Sequence, residues 1–323
     1  MTGNRTLIFA LCLLVLPLFI SWGGISVPAT LFIIIVMLVW RWGISLSALL
    51  KPAQVPNIQL DTISASHFVE KVRWNMDILG INYEERPVGG TLGVFFIGRT
   101  VPQLRVRTGA TRSVISNSSD ILRYLWGRYY GELPEQTQFL APTPERLALE
   151  KRIDSYGVDL QVWGYFHILD DKEVAQQLWG RNCPSLPSWQ RQAIIFLFPV
   201  LRFLIRKAFR IGDKGYARSV NKIEIFLSDI EQELTNESTS ILSGDKIDYV
   251  DISMAAMSGL WLSPEGYGGG KADGVKMEFS KLPQAMRDDI NRWKQQYPNT
   301  VTFIERLYQQ RTINEAEKNP AQD

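Results

Sequence analysis

The chain has 323 residues, a formal net charge of +2, two cysteines and two histidines. A charge so close to zero argues against a dedicated nucleic-acid binder, because such proteins usually carry a strong basic bias. Two histidines and two distant cysteines leave little for a zinc site, so no metal is expected. Cys12 lies in a hydrophobic segment and Cys183 in a loop-like segment, which makes a structural disulfide between them improbable.

The first element of the chain is the stretch Thr6–Trp40, which contains no charged side chain. At about 1.5 Å per helical residue it is too long for one crossing of a ~30 Å hydrocarbon core. Two glycines and Pro28 interrupt it near the middle. The sequence therefore predicts a membrane hairpin of two helices, roughly Gly3–Trp22 and Val27–Ser45, in an anchor domain of residues 1–50.

The basic residues around this stretch predict its orientation. Arg5 precedes the first predicted helix, Arg41 and Lys51 follow the second, and the loop between the helices has no charge. The positive-inside tendency then places both ends in the cytoplasm, which predicts a two-pass protein of the cell membrane with cytoplasmic soluble domains. A re-entrant hairpin is an open alternative. A cleaved signal peptide is less favoured, because no small-x-small cleavage site precedes a polar start.

The residues after the anchor begin with alternating strand and helix signals. Phe68–Leu79 has the apolar spacing of an amphipathic helix, and Gly80 is a favoured helix-ending residue. A two-stranded hairpin and a further helix follow, which predicts a small α/β domain over residues 56–131. The predicted strands are Asn57–Ser64, Asn82–Pro87, Pro102–Val106 and Arg112–Ser116, and the last helix begins near Ser118.

Strand signals nearly disappear after Pro144, and prolines separate a series of helical segments. The sequence therefore predicts an all-helical domain over residues 143–310, joined to the first by the linker Glu135–Pro144 and followed by a tail, 311–323. The predicted helices are 144–170, 172–180, 187–210, 217–235, 249–262 and 283–310.

Four local patterns stand out in this soluble part of the chain. They are Ser66 seven residues before Arg73, the dipeptide Val101–Pro102, Asn117–Ser118 followed by Ile-Leu-x-Tyr-Leu, and Gly244 followed by Asp248 and Asp251. With the order of the two domains, they resemble the soluble glutathione S-transferase superfamily over most of Ile58–Gln310. The resemblance implies an α/β thioredoxin-like domain followed by an all-α domain, here preceded by two transmembrane helices.

Ser66 is the candidate catalytic residue. A helix start offers unpaired N–H groups and a positive dipole end, which favour a thiolate held there. The resemblance implies that the Ser66 hydroxyl stabilises the thiolate of bound glutathione. The alternative is that Ser66 only caps the helix, and the two roles are compatible. His67 follows and could face the thiol site, although most histidines at helix starts have no special role.

The glutathione-binding candidates are Val101, Pro102, Asn117 and Ser118. The resemblance implies a cis Val101–Pro102 bond, with the Val101 backbone pairing with the cysteinyl backbone of glutathione in the manner of an added strand. It also implies that Asn117 and Ser118 hold the γ-glutamyl end at a helix N-terminus. The family usually has an acid where this chain has Asn117, which weakens the partner for the ligand's ammonium group. The glycine-rich segment 87–100 is shorter than the helix that the family usually has there.

The pattern at Gly244 implies a folding element without chemistry. Asp248 would cap a helix, and Asp251 would bond back to it as a capping box.

The resemblance implies an acceptor pocket lined by the first helices of the second domain, which makes Tyr156, Trp163 and Phe166 its candidates. An aromatic cleft suits an apolar electrophile. The alternative is that these side chains belong to the core, since aromatic residues are mostly buried.

The segment Ala193–Ile211 is apolar, with Arg202, Arg206 and Arg210 at four-residue steps on one helix stripe. This stripe could rest on anionic headgroups. It could equally be the solvated edge of a core helix that Pro199 breaks or bends.

The sequence therefore predicts a membrane-anchored glutathione transferase-like protein, in which bound glutathione, as substrate, attacks an apolar electrophile. The resemblance also implies a homodimer. A glutathione-dependent reductase is less favoured, because no cysteine stands at or near Ser66. The alternative from another class is a non-catalytic interaction or scaffold module at the membrane.

Overall fold

A computed structural model of the chain describes residues 23, 27–49, 55–89, 101–108, 111–235, 237–272 and 278–318. The strands are β1 (Asn57–Thr62), β2 (Glu84–Pro87), β3 (Gln103–Thr108) and β4 (Thr111–Ser116). The helices are α1 (Val27–Leu49), α2 (His67–Ile78), α3 (Ser118–Tyr129), α4 (Pro134–Thr137), α5 (Pro144–Ile168), α6 (Lys172–Leu178), α7 (Ser188–Phe196), α8 (Phe198–Ala208), α9 (Asp213–Glu233), α10 (Tyr249–Leu262), α11 (Gln284–Gln296) and α12 (Pro298–Lys318). Two short 3₁₀ turns complete the described elements, Gln138–Leu140 and Phe279–Lys281.

The four strands form one sheet in the order β2-β1-β3-β4. β1 and β2 run parallel, with Gln59 opposite Glu84 and Thr62 opposite Pro87. Parallel neighbours need a crossover connection, and α2 supplies it. This strand order with a crossover helix is a thioredoxin-like arrangement, as the resemblance implied.

α2 forms where the sequence predicts it. Ser66 caps its N-terminus, and the apolar residues Val69, Val72 and Met76, at helical spacing, are fully buried. After the helix the chain turns through Gly80, whose φ of +65° glycine adopts without a steric penalty.

The helical part is built around α10, in which every residue except Leu260 is buried. Its sequence is apolar on all sides, and it packs against α2, α5 and α12. The predicted capping box is confirmed. Asp248 Oδ1 accepts from the Asp251 N–H at 3.4 Å, and Asp251 Oδ2 accepts from the Asp248 N–H at 2.9 Å.

Two predicted helices are each divided in the structure. The segment predicted as 187–210 forms α7 and α8, which separate at Leu197, ahead of Pro199 in the first turn of α8. The segment predicted as 283–310 forms α11 and α12, and Pro298 opens α12. Proline lacks an N–H and clashes with the preceding turn, so it is accepted in a first turn but not in a helix interior.

The chain divides into two compact units, residues 1–57 with 106–113 and residues 58–105 with 114–323. The second unit contains α2 and all helices from α3 to α12. α12 extends to Lys318 and buries Arg311, so helical structure continues past the predicted start of the tail at residue 311.

The predicted membrane hairpin is not confirmed. Its first helix, Gly3–Trp22, lies outside the described residues, and its second corresponds to α1. No helix within the described part of the chain combines the length and apolar character that a membrane crossing requires.

Candidate functional site

Ser66 occupies the N-cap position of α2. Its backbone is extended, and its Oγ accepts a hydrogen bond from the Val69 N–H at 3.4 Å. The side chain is only partly buried, so the hydroxyl can still donate to a ligand. The capping role is thus observed, and the role toward a thiolate stays a prediction.

The Val101–Pro102 peptide bond is cis, as the resemblance implied, and it directly precedes β3. β3 neighbours β1 in the sheet, and Arg105 of β3 forms an ion pair with the buried carboxylate of Asp61 near the end of β1. This contact brings the start of β3 beside the end of β1 that leads to Ser66. The side chain of Gln103 next to the cis bond is also buried.

Asn117 and Ser118 begin α3. Asn117 adopts a left-handed φ of 75°, which costs a residue other than glycine on the order of 1–3 kcal/mol, and its side chain accepts from the Ser119 N–H at 3.3 Å. Ser118 is 1% exposed, and its Oγ has no hydrogen-bond partner among the described residues. A buried hydroxyl without a partner loses free energy, so this Oγ is suited to meet a ligand atom.

Lys71 joins the start of α3 to α5. Its fully buried ammonium donates to Ser119 Oγ at 3.1 Å and to Glu150 Oε1 and Asp154 Oδ1 at 2.8 Å each. Ser119 Oγ in turn donates to Asp154 Oδ2 at 2.6 Å. Burial alone would raise the pKa of Glu150, but Lys71 and Arg123 hold it below its usual value.

A depression of about 370 Å³ opens beside Ser119. Its wall combines the N-terminal turn of α3 with one face of α5. A helix N-terminus favours a carboxylate, and the acidic side chains of α5, besides their bonds to Lys71, have oxygen lone pairs that can accept from an ammonium group. The arrangement therefore suits a ligand end that carries both charges. The lining residues are Ser119, Leu147, Glu150, Lys151, Asp154, Ser155 and Val158.

His67 is buried against α5. Its buried Nε2 donates to the Gly157 carbonyl of α5 at 2.9 Å. Burial disfavours the imidazolium and lowers the pKa of His67 to about 4, although the hydrogen bond to Gly157 acts in the opposite direction. The ring is therefore neutral near pH 7 and serves the packing of α2 on α5.

The three acceptor-pocket candidates do not form a shared cleft. Tyr156 is buried, its hydroxyl accepts from Trp261 Nε1 at 2.8 Å, and Trp163 is buried and donates to Asp289 at 2.9 Å. Phe166 is half-buried and stacks on Tyr216 with ring centroids 4.1 Å apart. Tyr156 and Trp163 hold core positions, so a substrate would have to reach the site along other side chains.

Sequence reasoning missed Lys71, Glu150 and Asp154. Glu150 and Asp154 are four residues apart on α5, which shows that they share a face, but Lys71 is 79 positions from Glu150. No local pattern in the sequence indicates that pairing. In the described part of the chain, no three His, Cys, Asp or Glu side chains are grouped to hold a metal ion.

No protein-family model and no curated protein sequence matches the chain. Among solved structures it is similar to a glutathione S-transferase from Methylobacterium radiotolerans in complex with glutathione sulfonate, with 16% identity over 78% of this chain and 90% of that chain, and a TM-score of 0.44. A glutathione S-transferase from Methylobacillus flagellatus with glutathione bound is 15% identical over 77% of this chain and 93% of that chain, with a TM-score of 0.43.

A third similar structure is the glutathione S-transferase of Ceriporiopsis subvermispora in complex with glutathione, with 16% identity over 76% of this chain and 97% of that chain, and a TM-score of 0.43. At such identities and scores, the fold rests on what the chain itself displays. The strand order, the parallel β1–β2 pair and the helices after β4 define a thioredoxin-like α/β part followed by an all-helical part.

Proposed function

We propose that this chain is a membrane-attached glutathione S-transferase-like protein that binds glutathione and directs its thiolate to an apolar electrophile. The observation that carries the proposal is the buried Ser118 hydroxyl at the start of α3, which has no partner among the described residues. The next residue along the helix, Ser119, lines the depression. A site of this kind can take the γ-glutamyl end of glutathione, which carries a carboxylate and an ammonium group.

The two charged groups have separate partners in the proposal. The carboxylate accepts from backbone N–H groups at the start of α3 and from Ser118 Oγ. The ammonium group donates to the carboxylates of Asp154 and Glu150, which flank Ser119 in the depression. These α5 acids thus replace the acid that the chain lacks at Asn117.

The thiol end lies at Ser66 in the proposal. The start of α2 favours the thiolate, the Ser66 hydroxyl donates to its sulfur, and the Val101 backbone pairs with the cysteinyl residue of the tripeptide. The thiolate attacks an electrophilic carbon, a carbon–sulfur bond forms, and the leaving group departs with its electron pair. The protein increases the rate because it keeps the thiol of bound glutathione ionised at neutral pH.

Membrane attachment with cytoplasmic soluble domains is part of the same proposal. It is supported by the uncharged stretch Thr6–Trp40 and by α1, on which Phe32 and Trp40 are exposed. An apolar acceptor that partitions into lipid would then be concentrated near the site. A reporter fused after Asp323 tests the orientation, and its activity outside the cytoplasm would reverse the assignment.

The decisive test is calorimetric titration of glutathione into the full chain in a mild detergent. Ser118→Ala is expected to weaken binding about tenfold, since one hydrogen bond to a charged group contributes about 1.5 kcal/mol or more. Ser116→Ala, at the end of β4 and outside the helix, is the matched control and should bind like the wild type. Absence of binding at millimolar glutathione by the wild type would reject the proposal.

One observation favours a non-catalytic interaction module as the second candidate. Tyr156 and Trp163 are core residues, which leaves the acceptor without the aromatic cleft that the sequence suggested. If the wild type turns over model electrophiles and loses this activity when Ser66 is replaced, the protein is an enzyme and not an interaction module.

A further inference from the structure

α7 and α8 carry apolar side chains on two opposite sides. The inner side is buried, with Ile194, Phe198, Leu201 and Ile205 in a core cluster that includes Trp179. Since this inner side already fixes the two helices to the rest of the fold, apolar residues on the outer side are not needed for packing.

The outer side is nevertheless apolar. Phe196 is 76% exposed and Phe203 is 63% exposed, and Trp189 and Val200 are also exposed. Val200, Phe203 and Lys207 follow each other at steps of three and four residues, which places them on one face of α8. We call Trp189, Phe196, Val200, Phe203 and Lys207 the outer stripe. Clustered exposed aromatic residues mark interaction surfaces more often than single exposed apolar residues do.

The charge around the outer stripe is mainly positive. Between Pro187 and Gly212 the sequence contains no Asp or Glu. Asp170, which precedes this segment, forms ion pairs with both Arg202 and Arg206, so one carboxylate serves two guanidinium groups and a positive excess remains. The basic residues of the segment are Arg191, Arg202, Arg206, Lys207 and Arg210.

We infer that the outer stripe docks on the anionic surface of a lipid bilayer. An apolar aromatic face flanked mainly by basic residues is the composition of interfacial helices, whose aromatic side chains enter the headgroup boundary while the basic ones contact phosphates. The inference rests on the membrane attachment in the proposed function and extends it, because it gives the helical part its own lipid contact.

The positive charge beside the outer stripe argues against a second copy of the chain as the partner that covers it. A two-fold contact would bring the same patch of both copies together, and the basic flanks would face each other. A bilayer with anionic lipids supplies the opposite charge over the whole face and attracts each basic residue near it.

The test uses the full chain with a single environment-sensitive fluorophore on a cysteine, in a background where Cys12 and Cys183 are replaced by alanine. The label is placed by Phe203→Cys in the outer stripe. The matched control is Ile225→Cys on α9, where an exposed isoleucine lies next to Glu224 instead of basic residues. Each protein is mixed with vesicles of phosphatidylcholine alone or with phosphatidylglycerol, with or without a lipid-borne quencher.

With anionic vesicles, the label at position 203 is expected to shift its emission to the blue and to be quenched from the lipid, whereas the label at 225 stays in water. Adding Lys207→Gln and Arg210→Gln should remove most of the difference between the two lipid mixtures. A label at 203 that stays in water while the chain sediments with the vesicles would overturn the docking and leave the membrane attachment intact.

Two other outcomes separate the remaining ideas. A chain that does not sediment with vesicles would reject both the attachment and the docking, while glutathione binding by the same sample tests the thiol chemistry independently. A blue shift at 203 that depends on protein concentration without vesicles would overturn the inference in favour of a second copy on the outer stripe.

Discussion

Lys71 Nζ lies 2.8 Å from Glu150 Oε1, although no part of the lysine side chain is exposed to solvent. The pair joins α2 of the thioredoxin-like part to α5 of the helical part, and Asp154 accepts a second bond from the same ammonium. A buried ammonium is tolerated only when carboxylates and hydrogen bonds replace its hydration. The ion pair therefore fixes α5, and with it the wall of the candidate site, against α2.

Replacing the lysine by an apolar residue of similar length tests this coupling. Lys71→Met leaves Glu150 and Asp154 without their shared cation, and we expect the free energy of unfolding to fall by about 3 kcal/mol or more. Urea unfolding measures the change. Lys222→Met removes an exposed lysine that lies 3.8 Å from Asp159; it is the control and should change stability by less than about 1 kcal/mol.

Adding Glu150→Gln to Lys71→Met should restore part of the loss, because it removes one of the uncompensated charges. A loss as small as that of the Lys222 control would show that the buried pair does not hold the two parts together.

The two roles of Ser66 can be separated with two substitutions. Ser66→Ala removes both the cap and the hydroxyl, and should lower stability by about 1 kcal/mol. Ser66→Asp keeps a good cap acceptor but has no hydrogen to donate when ionised, so stability should be retained. Both should raise the pKa of the bound glutathione thiol, which the ultraviolet absorbance of the thiolate reports. An unchanged thiol pKa in both variants would reduce Ser66 to a helix cap.

Local signals explain which features were predictable. The Ser66 cap, the turn at Gly80 and the capping box of Asp248 and Asp251 depend on neighbouring residues. The turn was predicted from the glycine itself, and the other two from short local motifs that carry the resemblance. Contacts between distant residues were not predictable. The sequence shows that Tyr156 is aromatic on a helix, but only the packing of α5 against α10 determines that it is buried and bound to Trp261.

A related difficulty concerns where helices end. The periodicity across Pro298 continues through the break between α11 and α12, so the apolar pattern alone predicts one helix. The left-handed backbone of Asn117 and the missing partner of Ser118 Oγ were equally hidden, because they depend on the fit of α3 against the rest of the fold.

The pH dependence of stability should reveal the buried His67. Its pKa is lowered to about 4 in the folded chain, so between pH 6.5 and 4 the unfolded chain binds the proton more readily. The contribution of the neutral His67 ring to the free energy of unfolding is complete above pH 6.5. It is lost as the pH falls through 4, which lowers the free energy of unfolding by on the order of 3 kcal/mol. His67→Gln can still donate to the Gly157 carbonyl but does not titrate. We expect its stability, measured by urea unfolding, to fall less than that of the wild type over this range.

The pKa of Asp251 is shifted in the opposite direction, so its effect on the pH dependence of stability has the opposite sign and serves as the internal control. Burial and the neighbouring Asp248 raise the pKa of Asp251 to about 6, so its contribution to stability is lost as pH rises from about 4 to 6. Asp251→Asn should therefore steepen the loss of stability on acidification, whereas His67→Gln flattens it. Equal slopes in the wild type and His67→Gln would show that the imidazole is not excluded from protonation in the folded chain.

The residue before Ser118 gives the sharpest test of the glutathione site. Asn117→Asp restores the acid that the resemblance implies at this position, and aspartate tolerates the same left-handed backbone as asparagine. A charged acceptor binds an ammonium group more strongly than an amide does, so calorimetry should show several-fold tighter glutathione binding. Asp154→Asn should weaken binding in the wild type and less so in Asn117→Asp, because the new acid takes over the ammonium. Glutathione acetylated on its amino group should bind Asn117→Asp no better than the wild type, and an equal gain for both ligands would show that residue 117 acts through the backbone instead of its charge.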